Sequence, residues 1–152
     1  MRGWLLDTNV ISALANPNGA PSVKRWASEQ AEYDFFLSVV TLAEYDKGIE
    51  KLPPTNENRY RYAAARDALE DRFSGRILSL TDAVVRRWGA ISGQVSLATG
   101  HASPVIDTLL AATAIENDLY LVTRNIKDTR DSGAAVFDPW QDDPAAFPLS
   151  RR

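Results

Sequence analysis

The stretch Trp4-Leu5-Leu6-Asp7-Thr8-Asn9-Val10-Ile11-Ser12 decides the fold class. Its first three residues are a short apolar run of the kind that forms a buried strand. Asp7-Thr8-Asn9 then supplies side-chain oxygens that can cap a helix, which is expected to begin near Val10. The same alternation recurs down the chain. Phe35 to Val40 is β-rich, and Thr41-Leu42-Ala43-Glu44 opens a helix that reaches about Leu52, where Pro53-Pro54 stops it. Arg76 to Leu80 offers a brief strand, Leu119 to Thr123 the next, and Ala134 to Phe137 a last one.

The remaining segments carry helical periodicity. A helix from Pro21 or Ser22 to Gln30 places Val23, Trp26 and Ala27 on one face. Asn56 to Phe73 repeats Tyr62, Ala65, Leu69 and Phe73 at the spacing of a buried stripe, until Gly75 breaks it. Thr81 or Asp82 caps another helix, whose stripe is Val84, Trp88, Ile91, Val95 and Ala98. Ser103 as cap, with Pro104 at the first helical position, starts a helix ending near Asn117. Strands alternating with helices predict an α/β layer fold with a mainly parallel sheet. Residues 1–140 form the domain, and residues 141–152 form a Pro-rich tail that wraps or frays rather than folding alone.

In such a fold ligands gather at the carboxyl ends of the strands. Asp7 ends the first strand, and Glu44 lies just past the second. Crossover helices run antiparallel to the strands, so Asp107, in the first turn of the Ser103 helix, belongs to the same edge. The loop after Thr123, with Asn125 and Asp128, emerges there as well. Each acid also has a plain structural reading. Asp7 can cap its helix, Thr41-x-x-Glu44 matches a capping box, and Asp107 can complement a helix dipole. Against the last stands its setting, Pro104-Val105-Ile106-Asp107-Thr108-Leu109-Leu110, where a carboxylate needs a partner or a metal.

An oxygen-only donor set of carboxylates and water suits Mg2+ or Mn2+, whereas zinc prefers His and Cys. The chain has one histidine, His101, and no cysteine, which excludes disulfides, Cys-built zinc sites and two-histidine acid–base pairs; His101 itself reads as a loop or surface residue rather than as the base of a Ser-His-Asp triad. Metal-assisted hydrolysis is what remains, with Arg124, Lys127 and Arg130 placed to meet flanking phosphates or to stand as a solvated loop. Arg86-Arg87 and Lys47 with Lys51 are weaker candidates for such contacts. At 152 residues and 45% apolar composition, one core is sustainable without staples. The net charge of −3 lacks the basic footprint usual for nucleic-acid binding, so any such role rests on local charge and a bound cation. No apolar run approaches a membrane span, and the N-terminus is not a secretory signal, which is compatible with a cytoplasmic protein.

The residues as a set resemble a PIN domain, and more narrowly the VapC/FitB-type toxins of bacterial toxin–antitoxin pairs. The resemblance is carried by Leu5-Leu6-Asp7-Thr8-Asn9-Val10-Ile11-Ser12, Leu37-Ser38-Val39-Val40-Thr41-Leu42-Ala43-Glu44, Ile106-Asp107, Leu121-Val122-Thr123-Arg124-Asn125 and Val136-Phe137-Asp138-Pro139-Trp140. It implies a three-layer fold with a four- or five-stranded, mainly parallel sheet flanked by helices. It implies Mg2+- or Mn2+-dependent RNA cleavage, homodimerisation or assembly with a cognate antitoxin, and operator DNA reached only through that antitoxin. The metal ligands it implies are Asp7, Glu44 and Asp107, with Thr8, Asn9 and Thr123 in support. Its fourth acidic position falls on Asn125, which supplies no charge, and Asp128 lies three residues on. A FitB-like member acting mainly within a DNA-bound repressor complex is the alternative within the same fold. Phosphotransfer modules fit worse: a dehalogenase-type phosphatase wants Asp-x-Asp, and Asp7-Thr8-Asn9 lacks the second Asp.

Overall fold

The structure, a computed structural model, describes residues 1–150, with the side chain of Asp128 outside that description. Five strands form one sheet: β1 (Trp4–Leu6), β2 (Phe35–Ser38), β3 (Ile77–Leu78), β4 (Tyr120–Val122) and β5 (Val136–Phe137). Their order across the sheet is β3-β2-β1-β4-β5, and every pairing is parallel. The helices are α1 (Thr8–Ala15), α2 (Pro21–Ser28), α3 (Val39–Lys51), α4 (Asn58–Arg72), α5 (Asp82–Thr99), α6 (Val105–Glu116) and the single turn α7 (Ile126–Thr129). The predicted α/β class and parallel sheet are what the chain adopts.

Strand periodicity divides the core into layers. Trp4 and Leu6 point to one face of β1, where they meet Val10, Ile11, Val23 and Trp26 from α1 and α2 and Leu69 from α4. Leu5 points to the other face, against Leu110, Ala111 and Ala114 of α6. The small residues of α6 let it serve two neighbours, because Ala112 on its outer side packs with Val84, Ile91 and Val95 of α5. α5 ends on Gly100 at φ 74°, a left-handed cap that glycine adopts without strain. Among the described residues no helix is long and apolar enough to cross a membrane.

Several boundaries and contacts differ from the sequence expectation. α3 starts at Val39, two residues before Thr41, because the Ser38 hydroxyl accepts a hydrogen bond from the Val40 N–H (3.0 Å). The Thr41–Glu44 capping box therefore does not form; Thr41 is buried inside the helix, and Glu44 is free to serve elsewhere. The stripe expected on α4 holds at Leu69 and Phe73 but not at Tyr62 and Ala65, which are exposed. The N-terminal half of α4 packs on α3 rather than on the sheet, through polar contacts such as Arg66 to Asp46 at 2.6 Å. Ala98, at the end of the α5 stripe, is likewise exposed. At α6 the cap is Pro104 with no side-chain capping bond, so Ser103 does not take that role.

After β5 the chain turns back across the molecule. Phe147 packs on Phe137 (4.9 Å between ring centres) and Tyr120 (5.4 Å), the Tyr120 hydroxyl donates to the Pro148 carbonyl at 2.9 Å, and the Ser150 N–H donates to the Met1 carbonyl at 2.8 Å. The tail thus lies over the aromatic end of the core.

Candidate active site

The register between β1 and β4 builds the site. Leu6 pairs with Val122, and the Asp7 N–H continues the ladder by donating to the Val122 carbonyl at 3.0 Å. That places Asp7 beside Thr123, at the carboxyl ends of the two central strands. Asp7 is 5% exposed and also caps α1: its Oδ1 accepts from the Thr8 N–H at 2.6 Å. Its Oδ2 accepts from the Thr123 hydroxyl at 2.7 Å and, more weakly, from the Asn9 amide at 3.4 Å.

Around this carboxylate the network closes on itself. The Asn9 amide also donates to Thr123 Oγ1 at 3.2 Å, and Asn9 Oδ1 accepts the Arg124 N–H at 3.3 Å. Thr123 Oγ1 accepts the Asn125 N–H at 3.0 Å, which holds the loop after β4 against the site. The Thr8 hydroxyl donates to Glu44 Oε1 at 2.8 Å and so joins α1 to α3. Asp7 and Glu44, 37 positions apart in sequence, are thereby coupled through one threonine. Glu44 is half-buried, one and a half turns into α3, where no cap requires it.

Burial pushes the Asp7 carboxyl up from its ordinary value, while the bonds from Thr123 and Thr8 pull it down. Among the described residues no Lys or Arg forms an ion pair with it. A carboxylate so buried and so well hydrogen-bonded has its geometry fixed but its charge uncompensated. Its partners in the network are neutral donors that orient it.

The other predicted residues lie around this centre. Asp107 is half-buried in the first turn of α6. Its neighbours Ile106 and Leu109 face Val39, Glu44 and Lys47 of α3 across a groove of about 570 Å³, so the turn carrying Asp107 adjoins the helix carrying Glu44. Asn125 caps α7 by position alone, with its side chain exposed and making no capping bond. Asp128 is on α7, and its side chain lies outside the described residues. Lys127 and Arg130 are exposed, as is His101. Among the described residues no three His, Asp or Glu side chains form a group that could hold a metal ion; Asp7 and Glu44 are linked by Thr8 instead. Arg86 and Arg87 pair with Asp82 and Glu116, away from the network.

One further acid on this edge, Asp138, enters the sequence reading only within the closing motif Val136-Phe137-Asp138-Pro139-Trp140. Asp138 follows β5, adjacent to β4, and is 1% exposed. The sequence signal was the one that marked Asp7: an apolar pair, Val136-Phe137, ended abruptly by an acid. Burial pushes its carboxyl up too, and its Oδ1 accepts the Trp140 N–H at 2.8 Å.

A five-stranded parallel sheet of this order, with a hydrogen-bonded buried acid at the carboxyl edge of its central strands, defines the class of protein. The chain belongs to the PIN domain family, whose pattern matches residues 4–129. It is 32% identical over 141 residues to Toxin FitB of Neisseria gonorrhoeae, covering 91% of this chain and 99% of that protein. It is 25% identical over 137 residues to VapC ribonuclease Y4jK of Sinorhizobium fredii, covering 90% and 97%. Among solved structures, FitAcB from Neisseria gonorrhoeae superposes with a TM-score of 0.77 at 30% identity, covering 90% of this chain and 98% of that one. FitAB bound to the IR36 DNA fragment gives 0.79 at 28% identity, covering 92% and 97%.

Proposed function

We propose that this chain is a Mg2+- or Mn2+-dependent endoribonuclease, the toxin of a toxin–antitoxin pair. The observation that carries the reading is the Asp7 carboxylate, buried without a cation partner among the described residues and joined through Thr8 to Glu44. The donor set around it fits a hard divalent cation in kind, since every candidate ligand offers oxygen. Asp7 and Glu44, already joined through Thr8, would hold that cation. Asp107 on the adjoining turn of α6, not gathered with them into one group among the described residues, would be the third carboxylate, with the amide oxygen of Asn125 or the carboxylate of Asp128 as a further ligand. When bound, a divalent cation offsets phosphodiester charge and acidifies a water for attack.

The protein's own part is orientation. Thr123 and the Thr8 N–H fix both oxygens of Asp7, and the Thr8 hydroxyl fixes one oxygen of Glu44, so the two carboxylates enter the reaction already aligned. Asn9 locks Thr123 and the Arg124 backbone in the same frame. Arg124, Lys127 and Arg130 face solvent beside it and suit phosphates flanking the scissile bond. The names of the relatives, a toxin and a VapC ribonuclease, support RNA as substrate, and the likeness to FitAB supports a cognate antitoxin as partner; a homodimer or a toxin–antitoxin hetero-oligomer in the cytoplasm completes the proposal. A second reading is favoured by the likeness to FitAB bound to DNA: the chain acts mainly inside an antitoxin–operator complex, with little nuclease activity.

The purified chain, freed of any partner, is expected to cleave RNA with Mg2+ or Mn2+ and to stop when a chelator is added. Asp7→Ala and Asp107→Ala are each expected to lower the rate by about 10³-fold, several kcal/mol of lost charge stabilisation. Full activity in both variants would place the chemistry elsewhere. No cleavage by the wild type, with antitoxin-dependent operator binding intact, would favour the second reading.

A further inference from the structure

Arg124 sits directly after Thr123 at the rim, and its surroundings are more built than a solvated loop requires. Its backbone N–H is held by Asn9 Oδ1 at 3.3 Å, inside the Asp7 network. Its guanidinium carbon lies 5.1 Å from the centre of the Trp140 ring, a cation–π distance. Trp140 is in turn fixed by a turn of its own. Its N–H donates to Asp138 Oδ1 (2.8 Å), while the Asp138 N–H donates to Asp142 Oδ2 (2.8 Å) and the Gln141 and Asp142 N–H groups donate to the Asp138 carbonyl (3.1 and 2.8 Å). Asp138 is itself anchored to the sheet, because the Thr123 N–H donates to the carbonyl of Phe137 at 3.1 Å. Two adjacent strand ends, β4 and β5, therefore set the arginine and its aromatic support side by side. Among the described residues the Arg124 guanidinium takes no hydrogen bond or ion pair, so its N–H donors remain available although the planar group has a fixed seat.

We propose that Arg124 is an anion-binding residue that grips an RNA phosphate next to the scissile one, and that Trp140 is the positioning residue that holds its guanidinium for that task. The inference rests on the nuclease reading for the identity of the anion. A free arginine at a rim loses rotamer freedom when it binds, whereas one already stacked loses less and presents its planar fork in a set direction. Asp138 is buried at the root of the same turn, and the attraction between its carboxylate and the Arg124 guanidinium favours the arginine staying there. Lys127 and Arg130 have no such seat among the described residues.

The test is binding, read separately from cleavage. The full-length chain is titrated with Ca2+ present, so that the carboxylates of this edge do not repel the strand, against a fluorescein-labelled oligouridylate about 12 nucleotides long, by anisotropy at several salt concentrations. Arg124→Ala is expected to weaken binding about fivefold to tenfold and to reduce the slope of log K against log salt by about 0.7, one phosphate contact to a single strand. Trp140→Ala is expected to reproduce most of that loss, while Trp140→Phe, which keeps an aromatic face, stays within about twofold of wild type. Thermal melts accompany each variant. If Trp140→Ala does not fold, Arg124→Ala and the contrast between Trp140→Phe and Trp140→Leu decide the matter. An unchanged slope in Arg124→Ala overturns the proposal, as does equal loss in the Phe and Leu variants. Absence of binding by the wild type overturns it too. Binding with these effects but no cleavage in Mg2+ or Mn2+ would sink the nuclease reading alone.

Discussion

Trp4 and Asp7 stand three positions apart, at opposite ends of one short strand, and their surroundings are opposite in kind. Trp4 lies within 5.1 to 5.3 Å of the rings of Trp26, Tyr120 and Phe137, and Phe147 from the tail extends the same cluster. Asp7 meets hydroxyls, an amide and backbone N–H groups. Burial of large aromatics stabilises the fold by roughly 1.5–3 kcal/mol per side chain. Burial of a carboxylate without a counter-charge works against the fold, and neutral hydrogen bonds offset only part of that cost. The aromatic end is not free of cost either, since the indole N–H groups of Trp4 and Trp26 are buried without a hydrogen-bond partner among the described residues. The strand thus joins a stabilising end to an end that costs stability, a cost that a divalent cation would offset under the proposed function, in a common trade between stability and activity.

The largest effect expected from breaking this contrast comes at the polar end. Asp7→Asn keeps the size of the side chain and removes the charge, so RNA cleavage is expected to fall about 10³-fold while the metal-free protein melts at a higher temperature. The pH dependence carries the same sign. The Asp7 carboxyl titrates above its ordinary value of 3.8, so the fold favours the protonated form. The group therefore costs stability above its folded pKa, and that cost disappears as pH falls through the folded value to below 3.8. In metal-free urea titrations the wild type is expected to gain on Asp7→Asn as pH falls through that window. A wild-type advantage at neutral pH that shrinks on acidification would contradict this account.

At the aromatic end the effects reverse. Trp26→Ala is expected to cost about 3–5 kcal/mol in urea unfolding, with cleavage by the folded fraction retained, because nothing in the polar network touches it. Phe147→Ala sharpens the point with a smaller effect. Half-buried and held by two ring contacts, it is expected to cost about 1–2 kcal/mol, and the loss should appear as earlier protection loss at Tyr120 and Ser150 in amide exchange. A Phe147 variant that lowered cleavage without lowering stability would tie the tail to the site rather than to the core.

Much of this was legible in the chain, for physical reasons that are local. Trp4-Leu5-Leu6 followed by Asp7-Thr8-Asn9 specifies a buried strand, an abrupt polar stop and a helix cap within nine residues of the start. The same pattern in Val136-Phe137-Asp138 is harder to read, because no α-helix follows there to mark the acid as an end point. Where the sequence offered equivalent choices, local reading failed. Ser38 and Thr41 are both good caps, and only the length of β2, set by its pairing with β1 and β3, chose Ser38. Tyr62 and Ala65 have the right period for burial, yet α4 meets α3 rather than the sheet over that length.

By itself, then, the sequence determined the alternation of strand and helix, the parallel sheet and the residue types gathered at its carboxyl edge, because period and capping act over a few neighbours. Only the tertiary structure decided which of those residues touch. The register of Leu6 on Val122 sets Thr123 against Asp7, and the docking of α3 sets Glu44 against Thr8. The closeness of β4 and β5 seats Arg124 on Trp140. Those contacts depend on strand order and helix packing, which are fixed by the burial of the whole core and by no short segment of the chain.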